Sequence, residues 1–179
     1  MSENASSPVD DELQNGQLQK AVIVAMLPDQ PARVLSVAVQ YAQLLSAPLV
    51  VVHVDVTRFV TFEDPDGYVH SAPIDLNIDT GIAEFEDVRR TAAQALAGTG
   101  LTWTARQLVG DPALAIKQLG AKVDAQLIVV GTRKRGLGES IREFFTGSVA
   151  ARLSHRQSRP VLVVPLEEPV PDDQEIWSE

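Results

Sequence analysis

A basic, glycine-bearing segment between residues 126 and 165 carries the clearest chemistry in the chain. An apolar run ends at Gly131, a loop with several Arg and Lys residues follows, and Gly147-Ser148 opens a stretch with helical spacing. The free N–H groups of a glycine loop and of a helix N-terminus attract anions, and the helix dipole adds to that attraction. This segment therefore predicts a site for a phosphate-bearing ligand.

The same residue types also have a purely structural interpretation. Glycine suits any tight turn, and Ser148 would cap a helix without a ligand. Arg133 and Lys134 either pair with phosphates or belong to a solvated loop. Both interpretations stay open at this point.

Residues that would make the chain an enzyme are sparse. Ser148 and His155 fall on one predicted helix, and the Gly-x-Ser-x-Gly pattern of a hydrolase is missing. Neither a Walker A sequence nor a complete dinucleotide fingerprint is present. We therefore assign no catalytic residue and no metal ligand, and we expect any hydrolysis of a bound nucleotide to be slow.

Composition predicts one domain between two acidic tails. The 179 residues suffice for a core of ordinary size. Residues 1–19 and 166–179 hold ten of the 24 acidic residues and no Lys or Arg, while the 14 acidic and 15 basic residues of 20–165 nearly cancel. We predict a domain at 20–165 and disordered tails at 1–19 and 166–179.

Composition also limits the cellular compartments and the classes of partner that we expect for the protein. The chain has no cysteine, which excludes disulfides and thiolate chemistry and fits the cytoplasm. Its apolar runs are too short for a membrane span, and we expect no secretory signal. Aromatic residues are few and the basic residues form no long stripe, so we expect no nucleic-acid partner.

Apolar periodicity predicts alternating strands and helices, and therefore an α/β fold with a parallel sheet covered on both faces. The predicted strands are Lys20–Met26, Leu49–Val54, Thr102–Leu108, Ala125–Val130 and Val161–Val164. The predicted helices are Pro31–Ser46, Ile82–Ala97, a helix that Asp111 caps and Pro112 begins, and Ser148–Gln157. Ligands of such sheets bind beyond the carboxyl ends of the strands.

A long stretch after the second strand interrupts this alternation. Phe59–Phe62 and Tyr68–His70 flank the turn sequence Glu-Asp-Pro-Asp-Gly, which predicts a hairpin-like insertion at about 57–81. Because the insertion leaves the sheet at its ligand-binding edge, it is either a lid over a site or a surface or dimer element.

An ordered set of motifs resembles the universal stress protein family. The motifs are Gly110-Asp111-Pro112-Ala113, Val129–Arg133, Gly147-Ser148-Val149 and Arg159–Pro165, and the match covers about 20–165. The resemblance implies a doubly wound, five-stranded parallel sheet of strand order 3-2-1-4-5 with helices on both faces. It also implies a cytoplasmic stress-response protein that forms a homodimer through its last strand, Val161–Val164.

For some members the resemblance implies a regulatory adenine nucleotide, ATP or AMP, with Mg²⁺ beside ATP. Backbone N–H groups of the glycine motif would hold the phosphates with the Ser148 hydroxyl, Arg133 and Lys134 would neutralise charge, and Val54 would flank adenine. The implied contact residues are Val54, Val130, Gly131, Thr132, Arg133, Lys134, Gly136, Gly147, Ser148 and Val149.

The chain departs from the nucleotide-binding branch at two places. Leu27 stands where that branch has an Asp after the first strand. The second glycine of the motif falls on Lys134, and the loop from Gly131 to Gly147 is longer than the family's, so that Gly136 or Gly138 is the candidate replacement.

These departures leave a second hypothesis open. In it the chain binds no nucleotide and acts as a dimeric interaction module for an unknown protein partner. Its acidic 55–87 region would then dock on its basic 130–160 region, within one subunit or across a dimer.

Overall fold

The computed structural model of the chain describes residues 16–30, 32–63, 69–73, 78–132 and 149–166. In chain order the elements are β1 (Val22–Ala25), α1 (Arg33–Leu44), β2 (Leu49–Asp55), β3 (Arg58–Glu63), β4 (Val69–Pro73), α2 (Ile78–Leu96), β5 (Trp103–Val109), α3 (Pro112–Lys122), β6 (Leu127–Gly131), α4 (Val149–Arg156) and β7 (Val161–Val164). The strands and helices of the predicted alternation are all present, with boundaries that differ by a few residues.

Five parallel strands form the central sheet in the order β5-β2-β1-β6-β7. Counted among the sheet strands alone, this is the order 3-2-1-4-5, so the predicted fold class is confirmed. Strand β1 lies at the centre, where Val24 pairs with Val51 of β2 and Val129 of β6. The sequences of β1 and β6, and of β2 up to Val52, are continuous apolar runs because both faces of a parallel sheet are buried.

Two hydrophobic cores cover the two faces. Helices α1 and α2 pack on one face, and α3 and α4 pack on the other. The first core includes Val22, Val24, Leu35, Ala38, Val88 and Val129. The second includes Ile23, Val50, Ile116, Leu119, Ile128 and Leu153. The chain therefore leaves β1 toward one face and β6 toward the other, and a switch point lies between these two strands.

Strands β3 and β4 pair antiparallel in a separate two-stranded sheet. Residues 64–68 and 74–77 lie outside the described residues, so the hairpin-like insertion and its two interpretations stay predictions. Within the predicted tails, Leu18 is buried in the second core and the Leu166 N–H donates to the Thr132 hydroxyl over 2.9 Å. Residues 1–15 and 167–179 lie outside the described residues, so the predicted domain limits at 20 and 165 stay predictions.

None of the helices in the described ranges is both long enough and apolar enough to cross a bilayer. The longest helix in these ranges, α2, spans 19 residues, several of which are charged.

A buried polar cluster holds the first turns of α2 on the sheet. Asp55, which is only 2% exposed at the end of β2, accepts hydrogen bonds from the Thr57 N–H at 2.8 Å and the Thr57 hydroxyl at 2.6 Å. The Gln107 amide of β5 donates to the Gly81 carbonyl over 2.8 Å. A Cβ on Gly81 would lie 2.6 Å from Asp55 Cγ, so close packing requires glycine at this helical position.

The start of α3 is tied to α4. Asp111 caps α3 by accepting a hydrogen bond from the Leu114 N–H at 2.9 Å, and Pro112 follows in the first turn, as predicted. Both Asp111 oxygens also accept from the Arg152 guanidinium, at 2.5 and 2.8 Å. The Arg152 hydrogen bond, with smaller help from backbone N–H groups, holds the pKa of Asp111 below its ordinary value despite some desolvation.

Alanine substitutions at two helical glycines should have opposite effects on the free energy of unfolding. We expect Gly81→Ala to lower the free energy of unfolding by about 1–3 kcal/mol, because the new methyl group collides with the buried Asp55 carboxylate. Gly120 in α3 is the matched control, since a Cβ there would meet Arg159 Cδ at 3.5 Å and Ile128 Cδ1 at 3.6 Å, which is ordinary contact. Gly120→Ala should be neutral or gain up to about 1 kcal/mol through helix propensity.

Urea unfolding of the two variants, with circular dichroism as the signal, measures this difference. Equal or greater stability of Gly81→Ala would mean that the Asp55 carboxylate is free to move away from α2.

The Asp111–Arg152 pair predicts a pH-dependent contribution to stability. Because the folded pKa of Asp111 is lowered, the pair stabilises the fold above the unfolded pKa of about 3.9, and this stabilisation is lost as the pH falls through the folded value. Asp111→Asn keeps a capping residue but removes the charge. We expect this variant to be about 0.5–1 kcal/mol less stable at pH 7, since both side chains are partly exposed.

The difference should be constant above about pH 5 and should shrink as the pH falls toward 3. Urea unfolding across this range measures it, and Arg152→Gln and the double variant complete a thermodynamic cycle. A difference that persists unchanged at pH 3 would assign the effect to capping and not to the ion pair.

Candidate functional site

The switch point between β1 and β6 lies beside Gly131 and Thr132, two of the predicted site residues. Met26 and Leu27 follow β1, and Gly131 and Thr132 lie at the end of β6. The last pairing between these two strands joins Val24 to Val129, so the segments that follow them begin side by side. Because the two crossovers go to opposite faces, the carboxyl ends of these strands border a crevice.

Gly131 has a structural reason to be glycine. A Cβ at this position would collide with the Gln30 amide nitrogen and would lie 3.1 Å from Leu166 Cδ2 and 3.2 Å from Val34 Cγ2. A larger residue at this position would therefore displace the Gln30 amide and crowd Leu166 and Val34, whether or not a ligand binds.

Thr132 is engaged in the sheet. Its backbone N–H donates to the Val164 carbonyl over 2.9 Å, and its hydroxyl accepts from the Leu166 N–H over 2.9 Å. A phosphate contact by the Thr132 N–H, which the family resemblance implies, would compete with the first of these hydrogen bonds.

The apolar members of the predicted site lie beneath the carboxyl edge of the sheet. Val54 is 8% exposed near the end of β2 and Val130 is 3% exposed near the end of β6; both belong to the core beneath α3 and α4. Val149 begins α4 and packs partly buried against the same core. The remaining predicted contacts, namely Arg133, Lys134, Gly136, Gly147 and Ser148, lie outside the described residues.

The loop after β1 differs from what the family pattern implies. Leu27 is 61% exposed, and no carboxylate stands at its position. The Leu27 N–H donates to the Gln30 side-chain oxygen over 2.8 Å, and Gln30 N–H donates to the Leu27 carbonyl over 3.3 Å. Asp29 has a φ of 56°, in the left-handed region that Asp tolerates in turns. The sequence did not identify Gln30 as a site residue. Its only distinguishing feature in the sequence is its position one residue before Pro31.

His53 connects this loop to the sheet and to α2. The ring is 1% exposed, with Nδ1 3.3 Å from the Met26 carbonyl oxygen and Nε2 3.3 Å from Glu84 Oε2. The contact of Nε2 with Glu84 lies outside hydrogen-bond geometry. His53 is therefore fully buried, with two oxygen atoms facing its ring.

An open cavity of about 230 Å³ lies between the loop after β1 and α2. Residues 26–30 form one wall, and Asp87, Val88, Arg90 and Thr91 form the other. Arg90 is paired with Asp87, three residues away on α2. Within the described ranges, no group of three or more His, Asp or Glu side chains is arranged to hold a metal ion.

Known proteins share this fold. The model of the universal stress protein family matches residues 19–165. A universal stress family protein from Burkholderia pseudomallei is 27% identical, with 82% of this chain and 96% of that chain covered and a TM-score of 0.58. A universal stress protein in complex with cAMP is 24% identical, with 84% and 99% covered and a TM-score of 0.60.

The universal stress protein from Archaeoglobus fulgidus in complex with dAMP is 24% identical, with 82% of this chain and 98% of that chain covered and a TM-score of 0.56. No curated protein sequence matches the chain significantly. The family match covers residues 19–165, which include every element from β1 to β7, and the sheet has the order that the resemblance implied. The chain belongs to the universal stress protein family.

Proposed function

We propose that this chain binds an adenine nucleotide, ATP or AMP, as a regulatory ligand in the cytoplasm. The observation that carries the proposal is the switch point between β1 and β6, because open parallel sheets bind ligands where their crossovers diverge. Proteins of the same fold form complexes with cAMP and with dAMP, and both ligands are adenine nucleotides. An adenine nucleotide is therefore the first ligand to test.

In this proposal the base packs on the end of β2 and the phosphates face the start of α4. Val54 offers apolar surface there, and the N-terminus of α4 attracts anions. Gly147 and Ser148, which precede α4 in sequence, would hold the phosphates, and Arg133 and Lys134 would neutralise their charge. Mg²⁺ beside ATP would be held in part by the phosphates and water.

Calorimetric titration of the nucleotide-free protein with ATP and Mg²⁺ tests the proposal. We expect a Kd in the micromolar range, which corresponds to about -8 kcal/mol. Gly147→Val should abolish binding, because a branched side chain obstructs the backbone approach to phosphate. The absence of heat at millimolar ATP would overturn the proposal, and an unchanged Kd in the variant would move the phosphate site elsewhere.

Two valines of β2 provide a matched pair for the base site. Val54 and Val50 are buried in the same core, but only Val54 lies at the carboxyl end of the strand. We expect Val54→Ala to weaken ATP binding about three- to tenfold through lost apolar contact, while Val50→Ala leaves the Kd unchanged. Both variants should lose stability, which thermal unfolding measures. Equal Kd values would place the base away from Val54.

A homodimeric interaction module is the second candidate function. The exposed Leu27 removes the carboxylate that nucleotide-binding relatives carry after their first strand, as the family pattern implies. Strand β7 is an edge strand of the sheet, and its Val163 is 41% exposed. Unpaired edge strands with apolar side chains favour association with another strand. This observation supports a dimer through Val161–Val164, with an unknown protein partner.

The proposed dimer predicts that Val163→Lys yields a monomer of 19.4 kDa, because the charge would be buried at the edge-to-edge contact. Sedimentation velocity measures the mass. Leu114→Lys is the control, since Leu114 is 50% exposed on α3 and does not belong to the edge strand. A dimer that survives Val163→Lys would use another surface.

A further inference from the structure

We infer that Gln30 is a ligand-contacting residue that selects for the phosphate group of the nucleotide. The inference rests on the proposed function and deepens it. In relatives that bind nucleotides the family pattern has an acid directly after the first strand, and this chain has the apolar Leu27. The polar group that the structure places at this end of β1 comes instead from Gln30, three residues further along the chain.

The orientation of the Gln30 amide follows from its hydrogen bond. The Leu27 backbone N–H is a donor, so the atom it meets at 2.8 Å is the side-chain oxygen. The amide nitrogen consequently points away from Leu27, toward the end of β6. The usual ambiguity between the oxygen and nitrogen of a glutamine amide is removed by this contact.

The amide nitrogen then lies at the switch point with unused donors. It is the nearest atom to the position that a Cβ of Gly131 would occupy, so it borders the start of the glycine loop. The side chains of Val34 and Leu166 also lie close to that position. No hydrogen bond joins the Gln30 nitrogen to a residue in the described ranges, and the half-buried Gln30 borders the open cavity beside α2.

The chemistry of this group differs from that of the family's acid. A carboxylate accepts hydrogen bonds from hydroxyl and amino groups and repels phosphate, whereas an amide whose oxygen is already occupied offers N–H donors only. Phosphate oxygens are strong, charged acceptors, and N–H groups that meet them form charge-assisted hydrogen bonds. Gln30 therefore favours a phosphorylated ligand over its nucleoside.

Gln30→Glu tests this role with almost no change in shape. One carboxylate oxygen keeps the hydrogen bond from the Leu27 N–H, and the other replaces the NH₂ group with a negative charge. We expect calorimetry at pH 7 to show AMP and ATP binding weakened by about tenfold or more, with adenosine binding changed by less than about twofold. Thermal unfolding should show that the melting temperature is retained.

Gln40→Glu is the control for the added charge, because Gln40 is exposed on α1, away from the switch point. It should leave the affinities for AMP, ATP and adenosine unchanged. Equal weakening of adenosine and AMP by Gln30→Glu would make Gln30 a structural residue of the loop, and unchanged AMP affinity would remove it from the site. Either result overturns the inference alone, whereas a wild-type protein that binds none of the three ligands overturns the proposed function and this inference together.

Discussion

Burial of both faces of the parallel sheet is the constraint on which the rest of the structure depends. The residues from Val22 to Val24 are fully shielded from solvent, and the neighbouring strands β2 and β6 are also buried and apolar apart from His53 and Asp55 of β2. With both faces covered by helices, the sheet leaves only its edges and strand ends for polar chemistry. Polar groups such as Gln30, Asp55 and Thr132 therefore lie at or just beyond the carboxyl ends of β1, β2 and β6.

Close approach, and not backbone conformation, explains two glycines at that end of the sheet. Gly81 admits the Asp55 carboxylate beneath α2, and Gly131 admits the Gln30 amide beside β6. Both contacts bring a polar side chain against backbone, where any larger residue would displace it. Gly131, which belongs to the predicted ligand motif, thus has a packing role of its own.

Much of the fold could be predicted from the sequence because it depends on local periodicity. The continuous apolar runs of the strands, the helical spacing of α1 and the cap formed by Asp111 and Pro112 each lie within a few neighbouring residues. The site could be predicted only in part. His53 meets Met26 across 27 positions of the chain, and the contact of Gln30 with Gly131 joins two separate crossovers. Such pairs leave no spacing pattern, so only the folded arrangement reveals them.

Thr132 links the end of β6 to the outermost strand of the sheet, β7. Its N–H is held by Val164 at the end of β7, and its hydroxyl is held by Leu166 just beyond that strand. The glycine loop therefore departs from a point anchored to the outermost strand of the sheet. A ligand that moves the start of this loop also acts on β7. If the ligand thereby changes the affinity of β7 for a partner, linkage requires that the partner changes the affinity for the ligand by the same factor.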